Sequence, residues 1–85
     1  MKINPMVVIR EDFEDAAVAF NSNNGEIRSL NKTALFIWKE VEAGADVKQI
    51  LVHLKDACGD SMPDNAEEDV LAFLDLMKQR GFMQD

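Results

Sequence analysis

The stretch Ala16–Leu30, AAVAFNSNNGEIRSL, decides how the rest of the chain is read. Its first five residues are a short apolar run, its middle is Asn21-Ser22-Asn23-Asn24-Gly25, and its last five, EIRSL, return as a second strand. Asn-Gly supplies the positive φ angles of a tight hairpin, and a loop of four or five residues is equally open. In the returning strand Ile27 and Ser29 face one way, and Glu26, Arg28 and Leu30 the other. An exposed strand of this sort offers unpaired backbone groups, which are either a hazard or a docking edge.

Upstream, Met6–Arg10 (MVVIR) is rich in β-branched residues and follows Pro5, so a further strand precedes the hairpin, with a charged bend from Asp12 to Asp15 around Phe13. Downstream the periodicity changes to that of helices. Asn31 is a good N-cap for a helix to about Ala43, ended by Gly44, with Ala34, Ile37, Trp38 and Val41 on one face and Leu35 and Phe36 pointing elsewhere. Trp38 reads as a core anchor. Asp46 caps a second helix with Gln49 three residues on; Val47, Ile50, Leu51 and Leu54 form its stripe, and it stops near Gly59.

The last helix is expected from Asp64 to Gly81, with Pro63 at its edge, Asp64 and Glu67 as a capping box, and Lys78 and Arg80 in the last turn. At about 100° per residue, Ala66, Val70, Phe73, Leu74 and Met77 share one stripe, with Leu71 on one shoulder and Leu76 on the other. That arc spans roughly 220°, about twice what a surface helix presents to a core. One side is therefore available for another purpose, or the helix is wedged deep in a small domain. Phe82 and Met83 trail as a last apolar contact. The expected architecture is α+β: a three-stranded antiparallel sheet followed by three helices, in a single domain over residues 1–85.

Eighty-five residues, 47% apolar, suffice for one core but leave little room for an enclosed active site as well, which disfavours an enzyme. The formal charge of −7 repels phosphate backbones, and nine Lys and Arg spread from Lys2 to Arg80 form no basic run, so a protein or peptide partner is expected and nucleic acid is not. One cysteine, Cys58, cannot form an internal disulfide and fits a reducing cytoplasm. The apolar run at the N-terminus is too short for a signal peptide, and nothing approaches a membrane span.

Chemistry-bearing residues are sparse. His53 and Cys58 lack a third member at ligand spacing, so no metal is assigned. Asp60-Ser61-Met62 resembles the attachment site of an acyl carrier protein, but only twenty-four residues follow Ser61 and the chain opens with strands. Glu67 and Glu68, adjacent on a helix, point in different directions and are not an acid–base pair. No catalytic or cofactor-binding residue is expected.

Two segments carry a more specific pattern: Leu30-Asn31-Lys32-Thr33-Ala34-Leu35-Phe36-Ile37-Trp38, and Glu68-Asp69-Val70 through Phe73-Leu74 and Met77 to Gly81-Phe82. Together with the strand order they resemble the PqqD-like family, small winged helix-turn-helix domains named after the pyrroloquinoline quinone biosynthesis protein D. The resemblance covers about residues 6–83. It implies a non-catalytic recognition element that binds the leader of a ribosomally made precursor peptide and presents it to a modifying enzyme, commonly a radical S-adenosylmethionine maturase. The leader would add as a strand to Ile27, Arg28, Ser29 and Leu30 and rest on the last helix. The facing wall would be the shoulder with Leu71, Leu74 and Lys78, where Lys78 and Arg28 would meet an acidic leader, or the opposite one with Phe73 and Leu76. The Leu-Asn-x-Thr-Ala and Ile-Trp form is commoner in the wider family than in the quinone pathway itself. The alternatives are a winged-helix module for protein interaction or homodimerisation, using Phe36 and the third-strand edge, or a DNA-binding or carrier protein.

Overall fold

The computed structural model of the protein describes residues 2–12, 16–59, 62 and 64–84. In chain order the elements are β1 (Lys2–Ile3), β2 (Val7–Glu11), β3 (Ala17–Asn21), β4 (Ile27–Leu30), α1 (Lys32–Glu42), α2 (Val47–Cys58), α3 (Ala66–Gln79) and β5 (Met83–Gln84). The expected three antiparallel strands and three helices are all present, with the sheet in the order β2-β3-β4. The expected bend around Phe13, Ser61 and Pro63 lie outside the described residues.

The sheet has two unlike faces because its side chains alternate. Ala17, Ala19 and Asn21 of the central strand are buried, as is Leu30 of β4, whereas Val8, Val18, Phe20 and Ile27 are exposed on the other face. Small side chains at the centre of the inner face leave room for the helices. Beneath them lie Trp38 and Phe82, 1% and 0% exposed, with their rings edge to face at 6.4 Å. Burial of each such aromatic is worth about 1.5–3 kcal/mol. Leu35, expected to point elsewhere, is buried beside Ile37, Trp38 and Val41, because a helix between a sheet and two other helices has more than one covered side.

Capping fixes where the helices start. The Asn31 side chain accepts the Ala34 N–H at 2.8 Å, and Asp46 with Gln49 forms the expected capping box, with bonds of 2.8 and 3.0 Å. The third helix differs from expectation: it begins at Ala66, with Asn65 at the cap position and no side-chain capping bond, so Asp64 and Glu67 are not a capping box. Glu67, Glu68 and Asp69 instead occupy the first turn, where carboxylates oppose the positive end of the helix dipole. At its other end Gly81, at φ +80°, closes a Schellman turn: the Gly81 N–H donates to the Lys78 carbonyl (3.1 Å) and that of Phe82 to the Met77 carbonyl (2.8 Å).

The β1–β5 pairing is not visible in sequence. Lys2 pairs with Gln84 and Ile3 with Met83, and the Asn4 N–H donates to the Phe82 carbonyl at 3.0 Å. Phe82 and Met83, expected to trail as a last contact, are thereby drawn wholly into the core.

Candidate functional site

The register of β4 against β3 determines which of its backbone groups remain open. The Asn21 N–H donates to the Glu26 carbonyl at 2.9 Å, which makes that a hydrogen-bonded pair. By alternation, Arg28 opposite Ala19 and Leu30 opposite Ala17 are also hydrogen-bonded pairs, while Ile27 opposite Phe20 and Ser29 opposite Val18 are not. Ile27 and Ser29 therefore direct their N–H and C=O groups away from β3, toward the open margin of the sheet. The four outward backbone groups of these two residues suit pairing with another extended chain.

Across from that margin stands α3. Between them lies a hollow of about 440 Å³, lined by Ile27, Arg28, Ser29 and Asn31 on one side and by Ala34, Phe73 and Leu76 on the other. Phe73 and Leu76 are half-buried. The intervening core stripe of α3 is Ala66, Val70, Leu74 and Met77, each 4% exposed or less. The residues expected at the site divide accordingly. Ile27, Arg28, Ser29 and Leu30 are brought together on β4, with the first three in the hollow's wall. Leu74 belongs to the core at 3% exposure; Leu71, 46% exposed, and Lys78 do not line the hollow. The wall is the shoulder of Phe73 and Leu76. Leu74 follows Phe73 by a single residue, so a rotation of about 100° separates the core from the groove.

A polar clamp ties the C-terminal end of α3 to the β3–β4 hairpin. The side-chain amides of Asn4 and Asn21 both donate from Nδ2 to the Gly81 carbonyl, at 2.8 and 2.9 Å, and Asn24 Nδ2 donates to the Arg80 carbonyl at 3.2 Å. The Arg80 guanidinium also meets Glu26 at 3.2 Å. Asn21 is 1% exposed, and its Oδ1 accepts the Asn23 N–H at 2.9 Å, so both ends of its amide are satisfied inside the protein. In sequence these asparagines signal only a turn. Their second role, holding the end of α3 against the hairpin, depends on a partner some sixty residues away.

A second hollow, of about 380 Å³, adjoins the first and shares Asn31, Ala34 and Phe73 with it. Elsewhere, His53 Nδ1 meets Glu40 Oε1 between α2 and α1, and Cys58 is half-buried at the end of α2. Among the described residues no three His, Cys, Asp or Glu side chains are grouped to hold a metal, and no helix is long and apolar enough to cross a membrane.

Comparison with known proteins follows the same lines. The model of the family described as coenzyme PQQ synthesis protein D (PqqD) matches residues 16–83. No curated protein matches. Among solved structures, TbiB1 in complex with the TbiA(beta) leader peptide superposes with a TM-score of 0.82 at 23% identity, covering 100% of both chains. At that identity the likeness speaks for the fold.

Proposed function

We propose, from the premise that the chain belongs to the PqqD family, that it is a non-catalytic recognition element for the leader of a ribosomally made precursor peptide. The leader adds as a strand to β4, and its side chains rest on Phe73 and Leu76. The observation that carries this reading is the open margin of β4, with the outward backbone of Ile27 and Ser29 at a hollow of about 440 Å³ whose other wall includes Phe73 and Leu76. Backbone bonds supply affinity and the wall supplies selectivity. TbiB1, of the same fold, was solved holding a leader peptide, which supports the same use of the fold here. Arg28, in the groove wall, gives the bound strand a cationic neighbour, which favours a leader with a carboxylate at that register.

In this reading the chemistry belongs to a partner, a radical S-adenosylmethionine maturase in the cytoplasm, and this domain supplies position. The test is an NMR titration of isotope-labelled protein with the short peptides encoded beside its gene. Amide shifts clustered on residues 26–30 and 73–76 are expected. A well-folded sample that shifts with none of these peptides overturns the proposal.

One observation favours a second reading. Val8, Phe20 and Ile27 lie side by side across the three strands and are 40–62% exposed, an apolar band on the outer face of the sheet. Such a band suits contact with another protein surface or a second copy. Sedimentation at several concentrations distinguishes a dimer from a monomer that binds peptide.

A further inference from the structure

Of the three asparagines in the clamp, Asn4, Asn21 and Asn24, only the last precedes a glycine. Asn4 precedes Pro5, whose nitrogen carries no hydrogen, and Asn21 precedes Ser22, whose Cβ crowds the amide nitrogen beside it. Asn24-Gly25 is therefore the chemically labile pair. Glycine leaves its own amide nitrogen unhindered, and that nitrogen can close onto the asparagine side chain, which is what makes asparagine thermolabile. A Cβ at Gly25 would meet nothing within 4 Å, so the turn has open space around it.

The folded hairpin holds every group that would react. The Gly25 N–H donates to the Asn21 carbonyl at 2.8 Å, with Gly25 at φ +78°. Asn24 Oδ1 accepts the Glu26 N–H at 2.9 Å, and Asn24 Nδ2 donates to the Arg80 carbonyl at 3.2 Å. The attacking nitrogen, the amide carbon and the leaving nitrogen are thus pinned together. Both bonds of the Asn24 side chain are exposed, and a hairpin tip is where a fold opens at least cost.

We infer that Asn24 is a site of spontaneous deamidation, held off while the hairpin is clamped to α3 and released when it lifts away. In the reaction the Gly25 nitrogen loses its proton and bonds to Asn24 Cγ. The Cγ–Nδ2 bond breaks, and Nδ2 takes up that proton and leaves as ammonia. Water, the only co-reactant, then opens the cyclic imide. Cleavage between Cγ and the nitrogen gives aspartate; cleavage between the main-chain carbonyl carbon and the nitrogen gives isoaspartate. Nothing is oxidised or reduced.

The product cannot remake the bond that protected its precursor. A carboxylate at position 24 turns an oxygen, in place of the Nδ2 donor, toward the Arg80 carbonyl at the negative end of the α3 dipole. Isoaspartate also lengthens the main chain inside the turn. The conversion runs one way, so this junction keeps a record of how often the hairpin has opened. It does so whether or not β4 binds a peptide.

The test incubates the full chain at mildly alkaline pH, folded or in guanidinium, and follows residue 24 by peptide mapping for the mass gained when NH is exchanged for O. Conversion is expected in both, at least about tenfold slower in the folded chain. Asn24→Gln, which would need a larger ring, should not convert at that position in either. Glu26→Gln removes the other side-chain tie to Arg80 and should speed conversion about two- to fivefold in the folded chain only. Asn24 is exposed, so Asn24→Asp and Asn24→Ala are both expected to fold. The aspartate variant should have the lower thermal midpoint and shifted amides at residues 26–30 and 80–82. Equal rates in the folded and denatured chain, or no conversion in guanidinium, would overturn the inference. So would an Asn24→Asp chain as stable as Asn24→Ala with those amides unmoved.

Discussion

The two shoulders of α3 are chemically alike and structurally opposite. Leu71 on one side and Leu76 on the other flank the same buried stripe, and both are leucines one helical step from the core. Leu71 faces outward, 46% exposed, with no strand across from it in the hollow; Leu76, with Phe73, looks onto the open backbone of β4. In the proposed reading, an apolar shoulder serves as a peptide wall only where a strand with open backbone groups lies across from it.

The largest effect should come from the residue between the shoulders. Leu74→Asp deletes a core side chain and buries a carboxylate, at a combined cost of more than about 4 kcal/mol, so thermal unfolding should show no folded protein. A folded Leu74→Asp variant would mean that Leu74 belongs to a shoulder after all. Gly81→Val comes next. A Cβ there would sit 3.0 Å from Asn21 Nδ2 at φ +80°, so the left-handed cost and a broken clamp bond together reach about 3 kcal/mol. Chemical denaturation measures it.

The next variants separate the groove from the fold. Ser29→Pro removes a donor that faces away from β3, so the protein should stay folded while peptide affinity falls at least about tenfold. Arg28→Pro, which removes a donor to the sheet itself, should destabilise instead. Undiminished binding by folded Ser29→Pro would rule out strand addition. Leu76→Asp should weaken peptide binding by about tenfold, whereas Leu71→Asp should leave it within about twofold. Calorimetry on the pair reads the comparison directly, and equal losses would erase the distinction between shoulders. Smallest of all, Glu26→Gln breaks an exposed ion pair with Arg80 and should change stability by less than about 1 kcal/mol.

Which features were legible in sequence follows from how far apart their causes lie. Asn31 and the Asp46–Gln49 box act over three residues, and the turn at Asn24-Gly25 over two, so each could be read in place. The start of α3 is ambiguous in sequence because Asp64 and Asn65 are both good caps, and the first-turn carboxylates suit either choice. The groove was half legible. The strand Ile27–Leu30 is legible in place and periodicity offers two shoulders, but which one faces β4 depends on packing that no helical wheel contains. The clamp and the β1–β5 pair were not legible at all, since their partners lie sixty to eighty residues apart in the chain.

That terminal pair has a consequence for how the domain can be used. With Lys2 opposite Gln84, the two ends of the fold leave the body as adjacent strands, about 5 Å apart. A unit built this way enters and exits at one point. Close ends of this kind are the geometry that suits a fold to insertion in a loop or to circular permutation. Portability of this kind belongs to the closure of the chain, independently of anything the groove binds.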